Sequence, residues 1–485
     1  MSIHDTSESR MLFAPRPSAK RRIQLRLSER RLLMMVGDAL AIIAAILIAL
    51  FIWAVVGERN YDLPFLLEQV LWFVILPSLW FLLATANDYY DLSHAADRIA
   101  SLTRLMLITL QLIVVYVVVF FFAEPNTLPR LFILYYGIVS FFLLALWRIL
   151  NPALIGWASE PRRALVIGTD WAAQAIIDIL LEDALDAYQV LGVIRMSEKD
   201  ETQTVKSIAV LGNGSDILPI VLREGISELI VTSTRELPGD VFQGVMDAYE
   251  HGVAITPMPI LYERMTDRVP VEHVGDNWAV VLPIGGTSVF NPYPLLKRLM
   301  DIVMALIGLL FFAPLFPLIA LVIKLDSKGA IIFSQNRVGL NGREFTVYKL
   351  RSMVKDAEAK TGPKFAEKND ARVTRVGNFL RKTRLDEVPQ LFNVLKGDMS
   401  MIGPRPERAF HVNRLQEKIP FYRTRHTIRP GLTGWAQVRY KYGATDEDAL
   451  VKLQYDLYYI RHQSIMLDMG ILIRTVGKVL SMAGQ

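Results

Sequence analysis

Residues 385–407 read LDEVPQLFNVLKGDMSMIGPRPE and place two adjacent carboxylates, Asp386 and Glu387, directly after a basic run. An exposed carboxylate beside cations stays ionised at neutral pH, and a basic setting suits a phosphate-containing substrate. We interpret Asp386 as a candidate nucleophile toward phosphorus and Glu387 as a candidate ligand for a divalent cation. Alternatively, the pair starts a helix, because Thr383 begins a capping pattern and acidic residues suit a positive helix end. Spacing alone leaves both interpretations open.

Arg375 and Arg381, in the basic run before the acidic pair, are candidate substrate-binding residues. The basic run contains Arg372, Arg375, Arg381, Lys382 and Arg384. Further upstream, residues 330–334 and 344–350 are predicted to be strands joined by an Asn-Gly hairpin turn. Alternation along the second strand puts Lys349 and Arg351 on one face, where two cations could meet a diphosphate. In isolation, such a pair is more typical of a solvated sheet edge.

Length and composition indicate a multidomain membrane protein. The chain has 485 residues, which predicts two to four domains. Hydrophobic residues make up 52% of it and the mean hydropathy is +0.31, so part of the chain is expected in lipid. Cysteine is absent, which excludes disulfides and thiolate metal sites. The net charge of +5 fits lipid headgroups or nucleotide phosphates, and without a nucleic-acid-binding motif we expect no nucleic acid partner.

Four apolar segments near the N-terminus are each long enough for a membrane-spanning helix. They are residues 32–56, 64–86, 102–123 and 128–150. Residues 1–31 form a basic leader, which argues against a cleaved signal peptide and places the N-terminus in the cytosol by the positive-inside rule. We therefore predict a transmembrane domain of four helices over residues 32–150. For Asp38 and Glu68, a place inside the bundle or near a helix end is favoured over a transport role.

Residues 161–285 alternate short apolar runs with amphipathic stretches, which predicts a Rossmann-like cytosolic α/β domain with a parallel sheet. The turn after the first strand keeps only Gly168 of a G-x-G-x-x-G loop, and the bulky Trp171 follows. The second strand ends at Arg195 instead of an acidic residue. These departures hinder a pyrophosphate, so a structural or regulatory role is favoured over a dinucleotide site.

Residues 294–328 contain a fifth apolar segment with basic residues on both flanks. A crossing would carry the basic C-terminal half out of the cytosol, against the orientation rule. Pro314 and Pro317 interrupt the segment, and proline removes a backbone donor and clashes with the preceding turn. We predict a re-entrant membrane helix that enters and leaves by the same face. The alternative is an ordinary spanning helix with a proline kink.

Five ordered blocks carry a family resemblance. They are KRLMDIVMALIGLLFFAPLF, FSQNRVGLNGREFTVYKLRSM, RLDEVPQLFNVLKGDMSMIGPRPE, RHTIRPGLTGWAQV and QYDLYYI. From about residue 294 onward the chain resembles the bacterial sugar transferase family of monotopic phosphoglycosyl transferases. Its N-terminal organisation resembles the large members, the undecaprenyl-phosphate hexose-1-phosphate transferases that begin exopolysaccharide or O-antigen assembly. The resemblance implies an α/β phosphoglycosyl transferase catalytic domain over residues 329–485.

The resemblance also implies a reaction. The family's nucleophilic aspartate falls on Asp386, with Glu387 as its neighbour. Asp386 would attack the β-phosphorus of a UDP-sugar, UMP would leave, and undecaprenyl phosphate would accept the sugar phosphate. Mg²⁺, held by Asp386 and Glu387, would neutralise charge on the diphosphate. Glucose is the first expectation for the sugar and galactose the second.

The same blocks imply further substrate-binding residues. Arg405 stands between Pro404 and Pro406, which presents a guanidinium rigidly for bidentate phosphate binding. Arg429 and Gln437 are expected to shape the same pocket, with no division yet between nucleotide and lipid phosphate.

The break in the membrane helix and the location are also implied by resemblance. Pro314 matches the proline that breaks the family's re-entrant helix, while Ala313 stands where smaller relatives often have serine. We expect a multi-pass protein of the bacterial inner membrane, in contact with membrane lipid, with a cytosolic catalytic domain and a homodimeric state. The last apolar segment, residues 464–480, fits either an interfacial helix or a packed core helix.

Three other functions are alternatives to this interpretation. A glycosyltransferase would use Asp446-Glu447-Asp448 as a metal-binding D-x-D, but a helix start after Thr445 explains these acids more simply. A CDP-alcohol phosphotransferase is disfavoured because its spaced aspartates are not found. A non-catalytic scaffold or regulator of polysaccharide assembly is the main alternative, and intact Asp386, Glu387 and Arg405 argue against it.

Overall fold

The computed structural model describes residues 27–90, 98–122, 131–156, 161–184, 187–233, 237–271, 291–354, 370, 372–440, 443 and 445–480. Most of the predicted leader, residues 1–26, and the end of the predicted middle domain, residues 272–285, lie outside the described residues. The described chain forms a helical N-terminal region, an α/β middle region and a C-terminal region that starts with a bent pair of helices.

The N-terminal region is helical throughout its described residues. Its helices are α1 (Leu27–Val56), α2 (Leu63–Glu68), α3 (Trp72–Ala86), α4 (Arg98–Phe122) and α5 (Phe132–Gly156). In the described chain, three stretches are each long and apolar enough to cross a membrane: 32–56, 101–118 and 132–150. The segment predicted as the second span is divided between the short α2 and α3, and α3 has only 15 residues. The count of four spans therefore stays a prediction.

Large apolar side chains form the core of this bundle. Ile42 and Ile46 of α1 and Trp80 of α3 are almost completely buried. Asp38 is buried with them, and its Oδ2 accepts a hydrogen bond from Arg148 Nη2 at 3.0 Å. The structure thus places Asp38 inside the bundle, where the nearby guanidinium compensates its charge.

The middle region is a six-stranded mixed sheet with helices on both faces. Its strands are β1 (Arg162–Ile167), β2 (Tyr188–Ile194), β3 (Thr204–Val205), β4 (Ile208–Gly212), β5 (Glu228–Val231) and β6 (Ala254–Pro257). Their order is β3-β4-β2-β1-β5-β6, and only the β3–β4 pair is antiparallel. One face packs against α6 (Trp171–Asp183) and α9 (Met258–Thr266), the other against α7 (Ile217–Glu224) and α8 (Gly239–Glu250). The predicted α/β domain is confirmed, with an antiparallel edge that the sequence did not indicate.

The C-terminal region begins with α10 (Tyr293–Phe312) and α11 (Phe316–Asp326), which are bent by 64° where they meet. Pro314 lies in the break. Pro317 lies in the first turn of α11, where a missing N–H removes no helical hydrogen bond. The break is therefore present at the predicted prolines. A re-entrant path through the membrane stays a prediction, because the bend also fits a broken span.

An antiparallel hairpin of β7 (Ile332–Val338) and β8 (Glu344–Leu350) follows. The second strand has the predicted bounds. The prediction ended the first strand at residue 334, which is wrong, because the turn needs only residues 339–343. Asn341 and Gly342 adopt positive φ values of 55° and 75° in this turn, so the strands pair right up to it.

The rest of the C-terminal region is mostly helical. It contains α12 (Arg375–Lys382), α13 (Gln390–Lys396), β9 (Ser400–Ile402), α14 (Ala409–Lys418), β10 (Gly431–Thr433), α15 (Trp435–Arg439), α16 (Asp446–Arg461) and α17 (Ile465–Leu480). β9 and β10 pair in parallel. In α17, Ile471 is buried in the C-terminal core and Ile473 contacts the N-terminal bundle core. This helix is therefore packed between the two regions.

Candidate active site

The acidic pair lies on a three-residue 3-10 turn between α12 and α13. Leu385 and Val388, on either side of the pair, pack into the apolar cluster of Phe312, which borders the helix break. This anchoring leaves Asp386 and Glu387 each 7% exposed. The prediction of an exposed pair is therefore wrong, because its apolar neighbours hold the turn against the bent helices.

The turn does not use the capping pattern read from the sequence. Thr383 ends α12, and its hydroxyl donates to the Phe379 carbonyl at 2.9 Å. Arg384 follows with a φ of 60°, a left-handed conformation that is uncommon outside glycine. The chain thus reverses sharply just before the acidic pair, and a strained residue at this point is typical of functional sites.

Two cations hold Glu387. Its Oε1 accepts hydrogen bonds from Lys349 Nζ at 2.9 Å and Arg405 Nη2 at 2.7 Å. Burial alone raises the pKa of Glu387, but the charges of Arg405 and Lys349 outweigh burial and hold this pKa well below its usual range. Glu387 is therefore a fixed negative charge that gathers basic side chains from distant parts of the chain.

Asp386 has a different environment, although it is the adjacent residue. Burial, followed by the charge of Glu387, raises the pKa of Asp386 to about 6, while Lys349 and Arg381 act in the opposite direction. Within the described chain, no hydrogen-bond donor engages its carboxylate. A buried carboxylate with a raised pKa and no hydrogen bond suits a nucleophile.

Residues 404–406 form a rigid segment beside Glu387. The Pro404 carbonyl accepts a hydrogen bond from Gly431 N at 2.9 Å. The Arg405 carbonyl accepts one from Arg425 Nη2 at 3.1 Å, and the Pro406 carbonyl accepts one from Arg337 Nη1 at 3.3 Å. The two proline rings also fix their own φ angles. The segment presents the Arg405 guanidinium to Glu387, and the predicted role of Arg405 in phosphate binding stays a prediction.

Other cations also surround the acidic pair. Arg381 donates through Nε to Ser352 Oγ at 3.0 Å, and its charge lowers the pKa of Asp386. Arg384 Nη1 lies 4.0 Å from Glu387 Oε2. Sequence reasoning left Arg384 out of the site, although its position directly before the turn was a usable signal.

Arg351 does not join this cluster. Its guanidinium donates to the carbonyl oxygens of Ile323 at 3.2 Å and Ser327 at 2.6 Å, and to that of Ala330. It therefore binds carbonyl groups in the last turn of α11 and in the residues that follow this helix. The structure thus does not bring Arg351 to the acidic pair with Lys349, and a shared role of the two in binding a diphosphate stays a prediction.

Three further predicted residues make no hydrogen bond or ion pair with the acidic pair among the described residues. Arg375 is exposed at the first position of α12. Arg429 Nε donates to the Gly397 carbonyl at 2.9 Å, at the end of α13 away from the pair. Gln437 Nε2 donates to the Leu432 carbonyl at 3.3 Å, and its buried Oε1 has no partner among the described residues. Their substrate-binding roles stay predictions.

Asp446, Glu447 and Asp448 form the first turn of α16. Thr445 caps this helix, because its Oγ1 accepts a hydrogen bond from Asp448 N at 3.0 Å. Asp446 Oδ2 accepts from Lys418 Nζ at 2.7 Å. The structure gives these acids a helix-start role, as the simpler of the two interpretations expected.

The acidic pair fits Mg²⁺ only together with a substrate. The described residues contain no group of three or more His, Cys, Asp or Glu side chains that could hold a metal ion. Mg²⁺ commonly binds through one or two carboxylates and completes its coordination with substrate phosphates and water. Lys349 and Arg405 both bind Oε1 of Glu387. The carboxylate of Asp386 and the Oε2 atom of Glu387 therefore suit this arrangement.

In the middle region, the protein's own carboxylates surround the loop after β1. Asp170 caps α6, since its Oδ1 accepts a hydrogen bond from Ala173 N at 3.1 Å. The Thr169 hydroxyl donates to Asp200 Oδ2. Two carboxylates therefore stand near the start of α6, where a pyrophosphate would need an unoccupied positive end. This arrangement supports a structural or regulatory role for the domain.

Fold and site together define a membrane-associated protein with a buried acidic pair anchored on a bent pair of apolar helices. Residues 292–482 match the family model described as bacterial sugar transferase. Residues 85–259 match a model described as a CoA-binding domain. Among the related proteins, the UDP-glucose:undecaprenyl-phosphate glucose-1-phosphate transferase of Xanthomonas campestris pv. campestris is 41% identical over 66% of this chain and 67% of that protein.

Two more relatives show the extent of the similarity. The UDP-N-acetylgalactosamine-undecaprenyl-phosphate N-acetylgalactosaminephosphotransferase of Aeromonas hydrophila is 41% identical over 51% of this chain and 58% of its own length. The exopolysaccharide production protein PSS of Rhizobium leguminosarum bv. phaseoli is 46% identical over 37% of this chain and 93% of its own. The chain therefore belongs to the bacterial sugar transferase family. It spans just over half the length of the Aeromonas relative.

The match to a CoA-binding model does not indicate a CoA site at the loop after β1. CoA carries a pyrophosphate, and Asp170 and Asp200 stand where that anion would approach the start of α6. The residues of this loop therefore do not fit CoA.

Proposed function

We propose that this protein transfers a sugar 1-phosphate from a UDP-sugar to undecaprenyl phosphate. The observation that carries the proposal is Asp386, buried and without a hydrogen bond from the described residues, beside a Glu387 that Lys349 and Arg405 hold. Glucose is the proposed sugar, since the Xanthomonas relative is named for it. N-acetylgalactosamine, in the name of the Aeromonas relative, is the alternative.

The proposed reaction has two steps. A carboxylate oxygen of Asp386 attacks the β-phosphorus, the bond from this phosphorus to the bridging oxygen breaks, and UMP leaves with the electron pair. An oxygen of the lipid phosphate then attacks the same phosphorus and restores the Asp386 carboxylate. Lys349 and Arg405 lie where negative charge builds up on the diphosphate. Bound Mg²⁺ would supply further charge neutralisation at the same place.

The proposed membrane arrangement follows from where the two substrates reside. UDP-sugar comes from the cytosol and the lipid phosphate lies at headgroup depth, so a site on a re-entrant helix reaches both. The 64° bend and the packing of Leu385 and Val388 near Phe312 support this arrangement. We further propose four N-terminal spans, with residues 63–86 as the second, in the bacterial inner membrane. A homodimer and a role in exopolysaccharide synthesis belong to the same proposal.

Single-cysteine labelling tests the re-entrant path. The chain has no cysteine, so each variant carries only the thiol that was introduced. Asn291→Cys and Lys328→Cys place one thiol at an exposed position on each side of the bent pair. A membrane-impermeant maleimide should label both thiols from the cytosolic side of oriented vesicles. Labelling from opposite sides would mean a broken span that crosses the membrane.

The reaction is tested by UMP release from a panel of UDP-sugars, with purified full-length protein, undecaprenyl phosphate and Mg²⁺. We expect lipid-dependent UMP from one sugar and none from Asp386→Asn. Asp446→Asn is the matched control, because it removes an acidic residue of the rejected D-x-D, and it should retain activity. Release that survives Asp386→Asn would remove Asp386 as the nucleophile. If Asp386→Asn also restored polysaccharide synthesis in cells, the scaffold interpretation would be favoured.

A further inference from the structure

A buried ion pair outside the acidic site plays no part in the proposed chemistry. Arg425 lies in the 3-10 turn Tyr422–His426, and Asp456 lies in the middle of α16. Arg425 Nη2 donates to Asp456 Oδ2 at 2.8 Å, and both side chains are almost completely buried. Burying two charges is costly even when they are paired, so the pair needs an explanation beyond stability.

The same guanidinium also reaches the rigid segment of residues 404–406. Arg425 Nη2 donates its second hydrogen to the Arg405 carbonyl at 3.1 Å, and Nη1 donates to the Tyr422 hydroxyl at 2.8 Å. Arg425 therefore connects α16 to the backbone of the residue whose side chain binds Glu387.

This contact matters because residues 404 and 406 are prolines. Neither has an N–H group, so backbone hydrogen bonds to the segment can form only at its carbonyl oxygens and the Arg405 amide. The flanking carbonyls accept from Gly431 N and Arg337 Nη1. Among the described residues, Arg425 is the donor that holds the central carbonyl, and the Arg405 guanidinium then lies 2.7 Å from Glu387 Oε1.

We propose that Arg425 and Asp456 form a positioning pair that sets the direction of the Arg405 side chain toward Glu387 and the donor diphosphate. The proposal rests on the function proposed above. Asp456 orients Arg425, Arg425 fixes the Arg405 carbonyl, and the prolines transmit that orientation to the guanidinium. Lysine cannot replace Arg425, because its single compact ammonium cannot hold the carboxylate, the carbonyl and the hydroxyl in one planar fork.

The test measures the first-turnover rate of UMP release from the UDP-sugar in full-length protein. Arg425→Lys should slow this step by roughly ten- to a hundredfold, the range expected when a charged group is misplaced by about 1 Å. Arg405→Lys should slow it by a similar factor. The double variant should be within about twofold of Arg405→Lys, because Arg425 acts through Arg405. Multiplied losses in the double variant would overturn the proposal, as would an unchanged rate in Arg425→Lys.

Arg461→Lys is the matched control. Arg461 lies on the same helix as Asp456 and pairs with Glu263 of the middle region at 2.9 Å, away from residues 404–406. Its variant should keep the first-turnover rate within about twofold. If Arg425→Lys does not fold, Tyr422→Phe removes only the hydroxyl that Arg425 donates to. It should give a smaller slowing that is also non-additive with Arg405→Lys, and an additive one would overturn the proposal.

Hydrogen exchange separates this proposal from the function on which it rests. Arg425→Lys should speed amide exchange in the peptide that contains residues 403–407, while Arg461→Lys should not. If the wild-type protein releases no UMP from any donor, the proposed function fails, and the exchange measurement still tests the pair. Unchanged exchange in Arg425→Lys would then show that Arg425 does not restrain the segment.

Discussion

At the scale of single residues, two adjacent carboxylates acquire opposite properties from their surroundings. Lys349 and Arg405 lower the pKa of Glu387, whereas burial and the charge of Glu387 raise that of Asp386. Pairs of carboxyl groups whose pKa values are pushed apart commonly divide chemical roles between them. The proposed roles follow this division, with Asp386 forming the bond to phosphorus and Glu387 organising the cations.

The first-turnover rate of UMP release should rise as the pH increases through about 6. In the proposed mechanism the attacking form of Asp386 is its carboxylate, and without a bound metal ion a pKa of about 6 leaves it mostly protonated at pH 5 and mostly ionised at pH 7. Rapid-quench measurements across this range check the expectation. A rate that stays constant between pH 5 and pH 7 would show that the pKa of Asp386 is not raised.

Glu387→Gln should slow UMP release by about a hundredfold or more, because the site loses the charge that organises Lys349 and Arg405. It should also shift the acid limb of the pH profile to lower pH. The charge that helps raise the pKa of Asp386 disappears, and the two cations become available to Asp386. Glu344→Gln, at an exposed position of β8, should leave rate and profile unchanged. An acid limb that moves to higher pH in Glu387→Gln would contradict this account.

At the scale of elements, the pairing of β9 with β10 brings the segment of residues 404–406 against β10. Gly403 N donates to the Thr433 carbonyl at 2.9 Å, and Gly431 N donates to the Pro404 carbonyl at 2.9 Å. A Cβ atom on Gly431 would lie 2.1 Å from Gly403 N. Glycine is required here because two backbones touch.

Gly431→Ala should therefore lower the free energy of unfolding by about 2–4 kcal/mol, since backbone cannot move aside as a flexible side chain can. Gly470→Ala is the control, because a Cβ atom there meets nothing within 4 Å and the position is inside α17. That change should be neutral or stabilise by up to about 1 kcal/mol through helix propensity. Thermal unfolding in detergent compares the two variants. Equal midpoints would show that the close contact between β9 and β10 does not determine the stability of the protein.

At the scale of the whole molecule, the three regions meet around Asp88, which follows α3. Arg474 of α17 binds both oxygens of Asp88, at 2.7 and 2.6 Å, and Arg439 Nη1 lies 3.2 Å from Oδ1. Arg439 also pairs with Asp267 of the middle region. Both guanidinium groups lie over the Trp435 ring, with Arg439 Cζ 4.7 Å and Arg474 Cζ 5.3 Å from its centroid. We call these five residues the Asp88 junction.

Asp88→Ala should destabilise the protein by roughly 1–3 kcal/mol, because two partly buried guanidinium groups lose their shared carboxylate. It should not abolish UMP release, because no contact among the described residues joins Asp88 to Asp386 or Glu387. Thermal unfolding and the UMP assay check both parts. Glu224→Gln, which removes an exposed pair with Arg163, should leave the unfolding midpoint unchanged. Loss of all activity in folded Asp88→Ala would mean that the junction controls chemistry.

The sequence by itself determined the features that depend on local patterns. Apolar length indicated the membrane helices, alternating runs indicated the α/β middle domain, and the prolines at residues 314 and 317 indicated the helix break. The adjacent Asp386 and Glu387 marked the candidate site without any structure. Such signals are readable because hydrophobic periodicity, proline and neighbouring charges act within a few residues.

Only the tertiary structure decided which cation meets which carboxylate. Lys349 and Arg405 reach Glu387, Arg351 binds carbonyl groups at the end of α11, and Arg425 pairs with Asp456. Burial of the acidic pair was likewise decided by its anchoring on the helix break. These partners lie up to tens of residues apart, and an ionic contact depends on the distance and burial that packing creates, which no local pattern specifies.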